Sequence, residues 1–118
     1  MTLASVSGFV SVAAGAFAAH AITDPSAKEV TKTGATYEFM HALATIGCSA
    51  FIQVGGTRAR FAPALFLGGT VLFSGSLYAL ALGAPRLVGV ITPFGGLLFL
   101  AGWAVLAWAA LGVDQAVR

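Results

Sequence analysis

Charge is scarce in this chain: six Lys or Arg and four Asp or Glu make up 8% of its 118 residues, against about 25% in a soluble domain. With 58% hydrophobic residues and a mean hydropathy of +0.93, the chain is not composed for water as its main solvent. There is a single cysteine, Cys48, which excludes an intrachain disulfide and a CxxC redox pair and reads as a small apolar filler of a helix. Dense basic clusters are also missing. Lys28, Lys32, Arg58, Arg60, Arg86 and Arg118 stand singly or in pairs, a pattern that anchors helices at lipid headgroups and excludes a nucleic-acid surface. No HExxH, no nucleophile–base pair and no cofactor motif appears, so no enzyme activity, metal or cofactor is expected.

What the chain has in quantity is long apolar runs. Four of them, about 3–22, 35–54, 61–83 and 87–112, fill nearly all of it. At ~1.5 Å per residue, about 20 residues cross the ~30 Å hydrocarbon core. The reading is an all-α integral membrane protein: one domain over 1–118, folded as a four-transmembrane-helix bundle. The first run ends in Ala18-Ala19-His20-Ala21, faintly like a leader cleavage site, but no Lys or Arg precedes it and three spans follow. It is expected to be a retained helix.

Asp24-Pro25 is expected to stop the first helix, and Thr23 to Gly34, with Lys28, Glu29 and Lys32, reads as the one substantial loop. Helix 2 closes at Gly55-Gly56, and helix 3 at Ala84-Pro85-Arg86. Thr92-Pro93 and Gly95-Gly96 predict a kink or unwound turn near the start of helix 4. Small residues at Ser7, Ser11, Gly15 and Ala19, at Gly75, Ala79 and Gly83, and at Gly95 and Gly96 are candidate close-packing positions. Trp108 suits an interfacial anchor, with Trp103 deeper. Four crossings put both termini on one side and divide the basic residues three to three, so charge does not set the orientation.

Polar groups within spans are costly and therefore informative. His20, Tyr37, Glu38, His41, Ser74, Ser76, Tyr78 and Thr92 fall in the membrane half next to the first loop, which makes them the candidate polar site. Tyr37, Glu38, His41, Thr45 and Cys48 recur every three or four residues as one stripe, and Thr70, Ser74 and Tyr78 as another. Facing stripes would make a polar seam in which Glu38 and His41 form a proton-passing couple. The structural alternative is that the two satisfy each other and lock helix 1 to helix 2.

Gly15-Ala16-Phe17-Ala18-Ala19-His20, Tyr37 with His41-Ala42-Leu43-Ala44, Leu72-Phe73-Ser74-Gly75-Ser76-Leu77-Tyr78, and Ile91-Thr92-Pro93-Phe94-Gly95-Gly96 with Gly102-Trp103 occur in order across nearly the whole chain. Together they resemble the bacterial small membrane protein family called domain of unknown function 423, whose eukaryotic relative is transmembrane protein 256. The resemblance implies a four-helix protein of the bacterial plasma (inner) membrane with no established activity. Family members often carry an amide or another residue where Glu38 stands, which moves a family-wide role toward His20, His41, Tyr37 and Tyr78.

Two functions follow as expectations. One is a homo-oligomer that binds or conducts a small solute or ion through the polar seam near His20 and His41. The other is a non-transporting accessory protein that packs in the bilayer against other membrane proteins.

Overall fold

The computed structural model describes the backbone of residues 1–117 and the side chains of residues 1–112; Arg118, counted above with the terminal side, lies outside them. Four helices follow in order: α1 (Thr2–His20), α2 (Pro25–Gln53), α3 (Ala62–Ala81) and α4 (Thr92–Val117). Short 3-10 helices at Thr57–Phe61 and Arg86–Val90 lead into α3 and α4, and no strand forms among the described residues.

The helix ends are written in local chemistry. Asp24 caps α2, its Oδ2 accepting from the Ala27 amide at 2.8 Å, and Pro25 occupies the first turn, where its missing N–H costs nothing. Asp24-Pro25 therefore starts α2, whereas α1, expected to stop at this pair, has already ended at His20 with Ala21 as its cap. The segment expected as a loop up to Gly34 is the first ten residues of a 29-residue helix. Gly55 (φ +112°) and Gly83 (φ +100°) adopt the left-handed conformation just past the ends of α2 and α3. There the chain reverses so that the Gly56 and Ala84 amides each donate at 2.9 Å to Phe51 and Ala79. The break expected near Thr92-Pro93 falls at Ile91, between the 3-10 turn and α4, because Pro93 fits a first helical turn but not a helix interior.

Neighbouring helices run antiparallel. Gly8 faces Ala42 while Gly15 faces Ala35, and Gly69 meets Phe99 while Gly102 meets Phe66. The stripe on α1 that packs against α2 is completed by Ala4 and Ala18, both buried, rather than by Ala19, which is exposed. Cys48, Ala62, Phe66 and Phe99 form the buried core shared by α2, α3 and α4. Within the Thr57–Phe61 turn, Arg58 lies 4.6 Å over the Trp108 ring and against Gly112, tying that turn to the far end of α4. The helices make a slab of 55 × 26 × 18 Å. At ~10–12 Å per helix, it is no more than two helices thick.

Among the described residues, three stretches are long and apolar enough to cross a membrane: Thr2–His20, Thr57–Ala81 and Arg86–Gly112. α2 is not one of them, since Glu38 and His41 interrupt its apolar part and Lys28, Glu29 and Lys32 occupy its first turns.

Candidate functional site

With α2 beginning at Pro25, Glu38 and His41 are its fourteenth and seventeenth residues of 29. They lie in mid-helix rather than near one end, and they do not pair. A three-residue step turns the helix by about 300°, enough to send the two side chains to different neighbours.

Glu38 points between α1 and α3. Ser7 donates its hydroxyl to Oε2 at 2.8 Å, and Tyr78 donates to Oε1 at 2.7 Å. Glu38 as a residue is 95% buried, yet both partners of its carboxyl group are neutral. The Tyr78 ring reaches Glu38 by packing against α2 at Gly34, where a β-carbon would come within 2.8 Å of the ring. One turn back on α3, Ser74 donates to the Gly34 carbonyl at 2.7 Å. Ser7, sought as a packing residue, is thus a carboxylate partner. Replacing Tyr78 by Phe removes one of two donors, so unfolding in mixed micelles should show a loss of about 1 kcal/mol; an unchanged midpoint would mean that the bond contributes nothing.

His41 points toward α4. A backbone carbonyl only accepts and an indole N–H only donates, and these two partners fix the proton on the ring. Nδ1–H donates to the Tyr37 carbonyl at 2.7 Å, and Nε2 accepts from Trp103 Nε1 at 3.1 Å. The ring is therefore the neutral Nδ1–H tautomer. It stacks on Phe99 at 3.6 Å and 10°, with Phe66 at 5.5 Å. Trp103 is the partner that spacing along the sequence could not reveal, since it lies 62 residues away.

The remaining candidates stand apart. Ser76 donates to the Phe73 carbonyl at 2.9 Å and is joined to Thr92, so Thr92 is the donor in that pair and fastens the start of α4 to α3. Tyr37 flanks the His41 ring at 6.2 Å. His20, exposed at the end of α1, lies beside the first turns of α2 by the antiparallel register and joins none of these groups. A continuous seam is thus replaced by three separate hydrogen-bonded groups. Of the packing glycines, Gly95 lies against the Phe73 backbone, a β-carbon on Gly96 would sit 4.0 Å from the Phe73 ring, and one on Gly75 would meet nothing within 4 Å.

Among the grooves on the slab, one borders Glu38 and another borders His41. One, of about 300 Å³, lies between α1 and α3 and has Ser7, Glu38 and Thr70 on its lining; Leu3, Val6, Val10, Leu67 and Val71 supply apolar walls. The other, of about 450 Å³, lies between α2 and α4 over Tyr37, His41, Phe99 and Trp103.

Long apolar helices packed antiparallel, with buried polar groups joining them, define a polytopic helical membrane protein. The chain belongs to the family described as protein of unknown function (DUF423), whose model matches residues 14–96. It is 43% identical over 119 residues to the UPF0382 inner membrane protein YgdD of Escherichia coli K12, covering 98% of this chain and 91% of the relative. A UPF0382 membrane protein of Haemophilus influenzae is 41% identical over 113 residues, 93% of this chain and 91% of the relative. One from Staphylococcus epidermidis is 36% identical over 112 residues, 92% of each. No solved structure matches the chain.

Proposed function

We propose that this is a non-enzymatic protein of the bacterial inner membrane that holds a small solute in the groove between α1 and α3, with α2 crossing as a fourth span. The crossing of α2 is supported by its antiparallel packing between α1 and α3, both of which are long and apolar enough to cross. The location accords with the E. coli relative, an inner membrane protein by name.

One observation carries the reading: Glu38 is 95% buried and bonded only to hydroxyls, and it borders an apolar-walled groove of about 300 Å³. Buried acids in membranes are costly and are kept where they pair or serve a solute. Holding a solute fits better than conducting one, because the polar residues form three separate groups and His41 has both nitrogens engaged.

Native mass spectrometry of protein released from mild micelles tests this without knowledge of the solute. Wild type should carry a small-molecule adduct that Val71→Trp, which fills the groove from its exposed α3 wall, loses. Equal spectra for the two, or no adduct on either, would remove the solute-binding reading and favour an accessory role in which the polar groups only lock helices.

A further inference from the structure

The groove beside Glu38 also carries information on what it would accept. Resting on the reading that this groove holds a solute, we infer that the solute is a lipophilic organic cation, an alkylammonium, with the Glu38 carboxylate as its counter-charge. Three features support that class over others.

The first is charge. Glu38 receives only the Ser7 and Tyr78 hydroxyls. The basic residues among those described lie at the helix ends, at Lys28, Lys32, Arg58, Arg60 and Arg86. Among the described residues, no cation of the chain pairs with this carboxylate in the middle of a helix, and in an apolar setting a carboxylate is drawn most strongly to a positive partner.

The second is the number of oxygens. Only Ser7, Glu38 and Thr70 present side-chain oxygen along this groove, and Thr70 already donates its hydrogen to the Phe66 carbonyl at 2.9 Å. Bare hard cations such as Ca²⁺ collect six or more oxygens, which this lining does not supply. A quaternary alkylammonium needs no such shell, because its charge is spread over methyl and methylene surface.

The third is the wall. Val6 and Val10 on one side and Leu67 and Val71 on the other are apolar. They would cover the hydrocarbon part of an amphiphilic cation while its head meets the carboxylate, the mixture of apolar lining and few polar groups found in small-molecule sites. An anionic or strongly hydrated solute would meet both the wrong charge and the wrong surface.

The test uses purified full-length protein in neutral-lipid nanodiscs, with hexyltrimethylammonium, its uncharged carbon isostere, and empty nanodiscs for subtraction. Saturable binding of the cation, weakened about tenfold or more in Glu38→Gln and in Val71→Trp, is the expected result, with the isostere bound weakly and indifferent to Glu38→Gln. Equal cation affinity in wild type and folded Glu38→Gln overturns the counter-charge. Preference for the isostere overturns the ligand class but leaves the groove reading standing, whereas failure of both ligands to bind saturably overturns the cation inference and leaves the groove reading to the adduct measurement. Should Glu38→Gln not fold, Val71→Trp keeps its hydroxyl bonds and decides the matter: cation binding that survives it overturns the site.

Discussion

Gly95→Ala should destabilise the folded protein by about 3 kcal/mol, at the upper end of the cost of overpacking, whereas Gly96→Ala should cost nothing or stabilise by up to about 1 kcal/mol through helix propensity. The contrast comes from how α3 and α4 meet. A β-carbon on Gly95 would fall on the backbone of Phe73, 2.8 Å from its Cα, and backbone cannot rotate aside as a side chain can. The opposite wall is equally tight, since a β-carbon on Gly69 would come within 3.0 Å of the Gly95 carbonyl oxygen and 2.5 Å of the Phe99 ring. The methyl can be accommodated only by separating the helices, which loosens the contacts of Phe73 and Phe99 together. On Gly96 the nearest atom is 4.0 Å away, an ordinary contact. Reversible unfolding in mixed micelles, followed by helicity and tryptophan emission, measures both; equal midpoints for the two variants would mean that the helices do not approach as closely as described.

His41→Ala is expected to cost about 3 kcal/mol. Three losses combine: the hydrogen bond to Trp103, the hydrogen bond to the Tyr37 carbonyl, and the stacking of a buried ring against Phe99. Trp103→Phe, which removes only the indole donor, should cost about 1 kcal/mol. Because the two side chains share one bond, the double variant should be less destabilised than the sum by about 0.6–1.7 kcal/mol, the range for hydrogen bonds between membrane helices. A strictly additive double variant would show that the Trp103–His41 bond is not made in the membrane. The Nε2 lone pair is occupied by Trp103, so a proton can reach that atom only by displacing the indole. In this geometry His41 joins α2 to α4 and makes no hydrogen bond with Glu38.

Much of this fold was legible in the residues, and the exceptions have physical causes. α1, α3 and α4 announce themselves because an uninterrupted apolar run of that length has few alternatives. α2 was misjudged at its start because Lys28, Glu29 and Lys32 suggest a loop, although a polar helical turn needs only a cap, and Asp24-Pro25 provides one. Spacing marks Glu38 and His41 as polar residues inside an apolar run, and both are buried, but a three-residue step does not say which neighbouring helix each one meets. Their partners Ser7 and Trp103 are 31 and 62 residues away. Gly75 and Gly95 illustrate the same limit: identical in the chain, one faces open space and the other another helix's backbone.

The groove between α1 and α3 lies on the flank of the slab, walled by the exposed side chains Leu3, Val6, Val10 and Val71. A molecule reaching Glu38 by that route arrives by lateral diffusion among acyl chains. On the proposed solute-holding function, what would govern occupancy is its mole fraction in the lipid rather than its concentration in the buffer. Two compounds with equal intrinsic fit but unequal partitioning would rank differently in whole cells, and an affinity expressed per litre of water would conflate the protein's selectivity with that of the bilayer.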